Sequence, residues 1–337
     1  MQDSQRCSLS SEGDMRTTSE PVVSVIIPTY NRGHIIERTI NNIIEQTYKN
    51  FEIIVVDDGS TDDTQKRLAS FGTRIRSYYQ KNGGASSARN RGIRESRGAI
   101  IAFQDSDDEW HATKLARQVE LLQHFGPDVP CCISNAKFRS SSTDQPDQQT
   151  FEIADLVTPY DRGLWVNPGE VLATRCLFFN QVVAVRREAL ERVGGFNPAL
   201  RYLEDWDLAL RLSRLGSWGF LREPLTYWNP GSSHSLSKSA EIDPEKLHEC
   251  ACLLLRNAIK TYDKNSRVAD LLRRTLVQHR RALWALRVRQ KAFPLKILAG
   301  LVTFSERYRI AVQRRIGGFP IMQTEMLASE AQFAAGN

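Results

Sequence analysis

Four short strand-like segments, each followed by polar residues and a helical pattern, most constrain how this chain can fold. Three of them are mainly apolar, at residues 22–27, 51–56 and 99–103, and the fourth lies at residues 75–80. Runs of this length that are rich in β-branched residues are typical of buried strands. Strands that alternate with helices favour a mostly parallel sheet with helices on both faces. The sequence therefore predicts an α/β fold.

Polar residues ahead of the first two helical patterns predict helix caps. Asn31 precedes the first pattern, and asparagine is among the side chains that most often cap a helix. Ser60 and Asp63 resemble a capping pair for the second helix, which we expect to reach about residue 69. We therefore expect these side chains to bond the first turn of their own helices.

A cluster of acids follows the fourth strand directly. Asp105, Asp107 and Asp108 are crowded together, and such carboxylates repel one another unless a cation or a hydrogen-bond donor is shared between them. Oxygen ligands of this kind suit Mg²⁺ or Mn²⁺, which keep water ligands and bind through one or two carboxylates plus substrate phosphates. The alternative is a solvated acidic turn before a helix.

Polar side chains also follow the first two strands. Thr29 and Tyr30 end the first strand, and Asp57 and Asp58 end the second. The carboxyl ends of parallel strands meet at one edge of the sheet, which is where ligands bind in open α/β sheets. Neither G-x-G-x-x-G nor a Walker A sequence is present. A nucleotide would therefore be held by an aromatic ring, an aspartate and a metal ion at this edge.

These strand ends belong to four motifs that stand in order along the chain. The motifs are Val25-Ile26-Ile27-Pro28-Thr29-Tyr30-Asn31, Ile54-Val55-Val56-Asp57-Asp58-Gly59-Ser60-Thr61-Asp62, Gly84-x-x-x-Ala88-Arg89-Asn90-x-Gly92 and Phe103-x-Asp105-x-Asp107-Asp108. In this order and spacing they resemble family 2 glycosyltransferases. The resemblance is closest over residues 22–125 and continues more loosely to about residue 237. It implies a GT-A fold, which is the nucleotide-diphospho-sugar transferase fold.

The resemblance also implies roles for individual side chains. It assigns a nucleotide-sugar site to Pro28, Thr29, Tyr30, Asn31, Asp57, Arg89 and Asp105. Of these, Thr29 and Tyr30 would lie against the base, and Asp57 would accept a hydrogen bond from it. Arg89 would lie near the sugar and the diphosphate, while the D-x-D pair of Asp105 and Asp107 would contact the ribose and a divalent cation, Mg²⁺ or Mn²⁺. Two alternatives stay open: Asp57 or Asp58 shapes the turn before Gly59, or Arg89 is a surface helix residue.

A second group of acids precedes a helical pattern that runs from residue 206 to residue 215. In family 2 enzymes a Glu-Asp pair at this point supplies the catalytic base, so the resemblance assigns that role to Asp205, with Glu204 nearby. The alternative is that these acids only stabilise the helix through its dipole. His234 is a candidate ligand of metal or phosphate, or an ordinary loop histidine. Trp228 departs from the family pattern, because many relatives carry an arginine there.

Charge and composition divide the chain into regions. The net charge is +6, yet residues 264–315 hold fourteen Lys and Arg against two acids. We expect a disordered leader over residues 1–20 and a catalytic domain over 21–240, with a nucleotide-binding half (21–125) and an acceptor half (126–240). Residues 241–337 are expected to form a helical, basic C-terminal region. This region either lies on an anionic membrane surface through residues 264–315 or packs on the catalytic domain with a solvated basic face.

The function that the resemblance implies is sugar transfer with inversion. The donor would be a nucleotide-diphosphate sugar, with UDP expected, and the acceptor a hydroxyl of a carbohydrate or lipid-linked molecule in polysaccharide or cell-surface glycan assembly. Two alternatives are a nucleotidyltransferase on a related fold and a non-enzymatic protein that binds nucleic acid or an anionic surface. No nucleic acid partner is expected, because the chain has no recognisable nucleic-acid module. The six cysteines lack paired spacing, which favours a reduced protein in the cytoplasm. A peripheral location on the inner face of the membrane is the expectation that goes with membrane contact by the basic C-terminal region.

Overall fold

The computed structural model describes residues 22–139, 147–177, 180–228, 243–291 and 321–326. Within these residues, eleven strands join one sheet. The strands are β1 (Val23–Thr29), β2 (Phe51–Asp57), β3 (Arg76–Tyr79), β4 (Ile100–Phe103), β5 (Glu109–Trp110), β6 (Cys131–Phe138), β7 (Gln148–Gln149), β8 (Arg162–Trp165), β9 (Val183–Arg186), β10 (Trp218–Trp228) and β11 (Thr324–Met326). The α-helices are α1 (Ile36–Ile44), α2 (Thr64–Ala69), α3 (Ala85–Glu95), α4 (Lys114–Phe125), α5 (Thr150–Ile153), α6 (Pro168–Leu172), α7 (Arg187–Val193), α8 (Glu204–Leu212), α9 (Pro244–Thr261) and α10 (Arg267–Lys291).

The sheet has a parallel half and a mixed half. Its order is β11-β8-β10-β6-β9-β4-β1-β2-β3, with β5 paired to β10 and β7 paired to β6. The four strands predicted from the sequence, β1 to β4, are parallel neighbours as expected. Beyond β4 the sheet becomes mixed, because β9 runs antiparallel between β4 and β6.

Alternating side chains of the central strands supply two separate cores. Val25 and Ile27 of β1 face a cluster that includes the apolar residues of α1, α2 and α4. Ile26, which lies between them, faces the opposite cluster, to which α3 and the helices from α5 to α10 contribute. Successive strand residues point to opposite faces, and both faces here are covered by helices. The expected α/β fold with helices on both faces of the sheet is confirmed.

Two helix starts differ from those that the sequence pattern predicts. The apolar spacing of residues 110–125 predicts a helix from Trp110, but Trp110 lies in β5, which pairs with β10, and α4 begins four residues later at Lys114. Helix α8 begins at Glu204 rather than at Trp206. The first change could not be read from helical periodicity, because the pairing of β5 depends on a strand that is more than a hundred residues further along the chain.

The helices α9 and α10 pack against each other and against the rest of the fold. Tyr262, which follows α9, donates a hydrogen bond to the Leu210 carbonyl of α8 at 2.9 Å. Thr275 of α10 donates to the carbonyl of Ala173 at 2.8 Å. In the part of the chain that the structure describes, no helix is long and apolar enough to cross a membrane. The predicted leader, most of the polar stretch 140–149 and the basic region beyond residue 291 lie outside the described residues.

Candidate active site

The ends of β1 and β2 bring two buried polar side chains together. Thr29 is paired with Asp57 in the register of the two strands, and both residues are buried. Asp57 Oδ1 accepts a hydrogen bond from the Ser60 backbone N–H at 2.8 Å. Among the described residues, neither Asp57 Oδ2 nor Thr29 Oγ1 has a hydrogen-bond partner. Buried polar atoms are nearly always satisfied, so this pair leaves an acceptor that a ligand could use.

The residues after β1 form an exposed ring and a linked loop. Tyr30 is 45% exposed, so its ring can be reached from solvent at the carboxyl edge of the sheet. Asn31 adopts a left-handed conformation with φ of 52°. Its side-chain oxygen accepts from the Thr61 N–H at 2.8 Å, and its own N–H donates to Ser60 Oγ at 2.8 Å. These bonds tie the loop after β1 to the loop after β2.

The predicted helix caps are therefore wrong. The residue at the cap position of α1 is Ile35, and that of α2 is Asp63, and neither makes a side-chain capping bond. Asn31 and Ser60 bond each other's loops instead. Both loops leave the sheet at adjacent strand ends, so their polar side chains find partners across the gap rather than along the chain.

Asp58 has a different role from Asp57. Its carboxylate accepts bonds from the Gln80 side chain at 2.8 Å and from the backbone N–H groups of Gly83 at 2.9 Å and Gly84 at 2.7 Å. These bonds hold the turn that leads from β3 into α3. Turn shaping, which the sequence left open for both aspartates, thus accounts for Asp58 fully. It accounts for one oxygen of Asp57.

The acids after β4 lie at the same edge of the sheet. Asp105 and Asp107 are both half-buried, and Asp108 is buried. No group of three or more His, Cys, Asp or Glu side chains among the described residues could hold a metal ion by itself. Two half-buried carboxylates nevertheless fit Mg²⁺ or Mn²⁺, because these ions complete their shell with water and substrate phosphate oxygens. The donor set is thus suitable for a cation that arrives with a diphosphate.

Arg89 lies buried between two carboxylates from distant parts of the chain. Its guanidinium donates to Asp105 Oδ1 at 2.8 Å and to Glu204 Oε1 at 3.0 Å, and its side chain is only 5% exposed. Burial alone would lower the pKa of Arg89, but the charges of Asp105 and Glu204 raise it above the usual value. The alternative that Arg89 is a surface helix residue is wrong. The sequence contained no signal for its partner Glu204.

The first turn of α8 carries the candidate base. Leu203, just before the helix, has a φ of 63°, and Glu204 and Asp205 follow as the first two helical residues. Asp205 Oδ1 accepts a hydrogen bond from the Trp206 N–H at 2.8 Å. Cys176 has an exposed side chain, and the nearby charges of Asp205 and Glu204 help to raise the pKa of its thiol above the usual value. Cys176 therefore lies close to the candidate base, which sequence reasoning missed.

At the end of β10, the aromatic residue Trp228 occupies the position where the family resemblance led us to expect an arginine. Trp228 contacts Phe138, with ring centroids 5.5 Å apart. The residue that follows β6 is Arg139. Its guanidinium pairs with the Glu109 carboxylate at 3.2 Å and lies 4.8 Å from the centroid of the Tyr227 ring. His234, the second candidate metal ligand, lies outside the described residues.

Comparison with known proteins identifies the family. The model of the family "Glycosyl transferase family 2" matches residues 24–194, which is just over half of the chain. An uncharacterized glycosyltransferase of Rickettsia typhi is 31% identical over 217 residues, covering 62% of this chain and 64% of the relative. A putative teichuronic acid biosynthesis glycosyltransferase of Bacillus subtilis, TuaG, is 40% identical over 110 residues, covering 32% of this chain and 44% of the relative. This chain belongs to glycosyl transferase family 2, and it spans less than two thirds of the length of these curated relatives.

Solved structures with low sequence identity share the fold. The structure of S. aureus TarS in complex with UDP-GlcNAc has a TM-score of 0.62 at 22% identity, covering 82% of this chain and 79% of TarS. The mannosyltransferase PcManGT from Pyrobaculum calidifontis, in complex with GDP-Man and Mn²⁺, has a TM-score of 0.54 at 21% identity, covering 86% of this chain and 81% of PcManGT. The expected GT-A fold is confirmed.

Proposed function

We propose that this protein transfers a sugar from a nucleotide-diphosphate sugar to an acceptor hydroxyl, with inversion at the anomeric carbon. The observation that carries the proposal is the contact of Arg89 with both Asp105 and Glu204. Through Arg89, the acid at the donor edge and the first turn of the helix with the candidate base belong to one network. A glycosyltransferase needs these two elements side by side, because one displacement joins donor and acceptor.

The donor edge suits a nucleotide base. Asp57 Oδ2 is buried without a hydrogen-bond partner among the described residues, and a base N–H such as that of uracil would satisfy it. The exposed ring of Tyr30 offers a surface for stacking. UDP-GlcNAc is bound in the TarS structure, which shares the fold. We therefore propose a UDP-sugar as the donor, with Pro28, Thr29 and Asn31 shaping the base pocket.

A divalent cation is proposed at the acids after β4. Asp107 would hold Mg²⁺ or Mn²⁺ together with the donor diphosphate, while Asp105 would contact the ribose. The cation would neutralise charge on the leaving diphosphate, which is a Lewis-acid role. A fold neighbour was solved with GDP-Man and Mn²⁺, and the carboxylate oxygens fit a hard cation.

Asp205 is proposed as the general base. It would accept the proton of the acceptor hydroxyl as that oxygen forms a bond to the anomeric carbon. The bond from this carbon to the diphosphate breaks in the same step, and the nucleoside diphosphate leaves with the bonding electrons. A single displacement inverts the anomeric carbon, so one base suffices and no covalent nucleophile is needed.

Donor binding and transfer are tested with a panel of UDP- and GDP-sugars in the presence of Mg²⁺ or Mn²⁺. We expect one donor to bind the wild-type protein by calorimetry and to be slowly hydrolysed. Asp107→Ala should abolish metal-dependent cleavage. Asp205→Asn should still bind the donor but lose transfer by about 10²- to 10⁴-fold, as is usual for a missing general base.

A matched control is available at the opposite edge of the sheet. Asp128 is exposed and precedes β6, so Asp128→Asn removes a carboxylate without touching the proposed site and should leave donor binding and transfer unchanged. If no nucleotide sugar binds the wild-type protein, the proposed function is wrong. Release of diphosphate from a nucleoside triphosphate and a sugar phosphate would instead establish the nucleotidyltransferase alternative.

We also propose that the enzyme works on the cytoplasmic side of a membrane, in polysaccharide or cell-surface glycan assembly with a carbohydrate or lipid-linked acceptor. The relative TuaG, which carries the words "teichuronic acid biosynthesis" in its name, supports this class of acceptor. The exposed side of α10 supports membrane contact, because Val277 and Trp284 are exposed there among the exposed basic residues Arg273, Arg274, Arg280 and Arg281. Basic helices with exposed apolar residues bind anionic lipid surfaces.

Membrane contact is measured by sedimentation with vesicles. Binding should require phosphatidylglycerol in phosphatidylcholine vesicles and should be lost in the double variant Arg280→Glu, Arg281→Glu. Arg94→Glu, a change at an exposed arginine of α3, serves as the control. Equal sedimentation with neutral and anionic vesicles would contradict membrane contact through α10 but would leave the transfer reaction untouched.

A further inference from the structure

The contacts of Arg89 show a link between the two sides of the site. The sequence separation is 16 residues between Arg89 and Asp105 but 115 residues between Arg89 and Glu204. Each carboxylate is bonded by a different guanidinium nitrogen, Glu204 by Nη1 and Asp105 by Nη2. Because the side chain is buried, this cation is engaged mainly with the two carboxylates rather than with water.

Neighbouring contacts hold the same part of α3 against the segment that precedes α8. The Arg89 guanidinium lies 5.3 Å from the centroid of the Phe196 ring. Asn90 donates to the Phe196 carbonyl and accepts from the Phe196 N–H, each at 2.8 Å. Gly195 has a φ of +68°, and a Cβ there would lie 2.6 Å from the Asn90 side-chain oxygen. These contacts hold α3 close to residues 195 and 196, which precede α8 along the chain.

Glu204 is the residue of α8 that contacts Arg89. It is the first residue of the helix, and its carboxylate bonds Arg89 at 3.0 Å. Asp205 is the next residue, so the direction of its side chain depends on how the first turn is held. The preceding residue, Leu203, has a positive φ, so the backbone is not helical just before Glu204. The orientation of the first turn of α8 therefore also depends on contacts such as the bond between Glu204 and Arg89.

We infer that Glu204 is a positioning residue, which sets Asp205 relative to the donor through its bond to Arg89. The inference rests on the proposed function and adds to it the residue that aligns the base. Glu204 acts through Arg89 and does not need to touch the substrate. A misplacement of about 1 Å in a reacting group can lower a rate by about hundredfold, so a carboxylate of this kind can matter without taking part in the chemistry.

The test compares two substitutions that differ in one property. Glu204→Ala removes the acceptor of the Arg89 bond, whereas Glu204→Gln keeps an oxygen that can accept from Arg89 but has no charge. We expect Glu204→Ala to lower kcat for transfer by about hundredfold while the donor Kd stays within about twofold, since an interaction that only aligns the base does not contribute to donor binding. Glu204→Gln should recover most of the lost rate.

Two further variants make the result specific. Asp207 is another acid in the first turn of α8, paired with Arg211 at 2.6 Å, but nothing described connects it to Asp105. Asp207→Asn should therefore leave the ratio of kcat to donor Kd close to that of the wild type. Arg89→Lys cannot bond both carboxylates with a planar fork. Combined with Glu204→Ala, it should lower kcat no further than Arg89→Lys alone, because Arg89→Lys already disturbs the bond to Glu204.

Each outcome decides the inference. It is overturned if Glu204→Gln is as inactive as Glu204→Ala, because the charged carboxylate would then itself be needed in the reaction. It is also overturned if Glu204→Ala keeps full transfer, or if it weakens donor binding as strongly as Asp107→Ala. Should Glu204→Ala fail to fold, Glu204→Gln and Arg89→Lys decide the matter alone. A wild-type protein that binds no donor refutes the proposed function instead, so the two failures are distinguishable.

Discussion

Lys114 allows a quantitative prediction about stability. It is the first residue of α4 and is fully buried. Its ammonium nitrogen donates to Gln118 Oε1 at 2.7 Å and lies 4.0 Å from the centroid of the Trp110 ring. Among the described residues, no carboxylate forms an ion pair with it. Burial lowers the pKa of Lys114 from 10.5 to about 7, although Cys132 acts in the opposite direction.

The shift in pKa translates into a cost of folding. A difference of one pKa unit corresponds to about 1.4 kcal/mol, so the lowered pKa of Lys114 costs the folded state about 5 kcal/mol at neutral and acidic pH. Replacing Lys114 with methionine removes this cost but leaves Gln118 Oε1 without its donor, which costs about 1–3 kcal/mol. Lys114→Met should therefore raise the free energy of unfolding by about 2–4 kcal/mol near pH 6.

The gain should depend on pH in a defined direction. The folded pKa lies below the unfolded one, so the unfolded state binds more protons between about pH 7 and pH 10.5. The stability of the wild type therefore rises with pH across this window, and the advantage of Lys114→Met should shrink by about 3 kcal/mol between about pH 6 and about pH 9.

The assay is urea unfolding of both proteins at a series of pH values, with the free energy of unfolding taken from the midpoint and the slope. Lys66→Met, a substitution at an exposed position of α2, is the control and should change stability by no more than about 0.5 kcal/mol at any pH. A difference between wild type and Lys114→Met that is the same at both ends of the pH range would refute the reasoning.

Two more predictions follow from buried contacts. The pKa of His279 is lowered to about 4 by burial and then by His248, whose Nδ1 lies 2.8 Å from its own. This folded pKa is below the usual value, so the contribution of His279 to stability is complete above about pH 6.5 and is lost as the pH falls towards 4. His279→Phe should therefore lessen the loss of stability that urea unfolding measures between about pH 7 and about pH 5. An unchanged pH dependence would contradict this. In Gly92→Ala the new Cβ would lie 2.4 Å from Ile26 Cγ2. Overpacking of this kind should lower the free energy of unfolding by about 1–3 kcal/mol. An unfolding midpoint equal to that of the wild type would show that α3 can move away from β1.

The sequence predicted the carboxyl edge of the parallel strands well because that edge follows from local patterns. An apolar run that ends in a polar pair locates a strand end, as at Thr29 and Asp57, and parallel neighbours bring their ends together. Thr29 and Asp57 are paired in the register of β1 and β2. The four motifs gave the family for the same reason, because each lies within one strand end or one helix start.

Predictions that depended on the partner of a side chain succeeded less often. Asn31 and Ser60 have the composition of helix caps, yet they bond across two loops. Trp110 fits the apolar face of a helix, yet it pairs with β10. In each case a polar or apolar group had a local partner and a distant one, and the distant partner was available only after the sheet had formed.

The sequence by itself thus determined the fold class, the four strands that form the parallel part of the sheet and the acids that follow them, since these depend on periodicity and on residues that lie close together along the chain. Only the tertiary structure decided that β9 enters the sheet antiparallel and that Arg89 bonds Glu204 across 115 residues. A buried charge takes whichever opposite charge the folded chain brings within hydrogen-bond distance, and no local pattern contains that information.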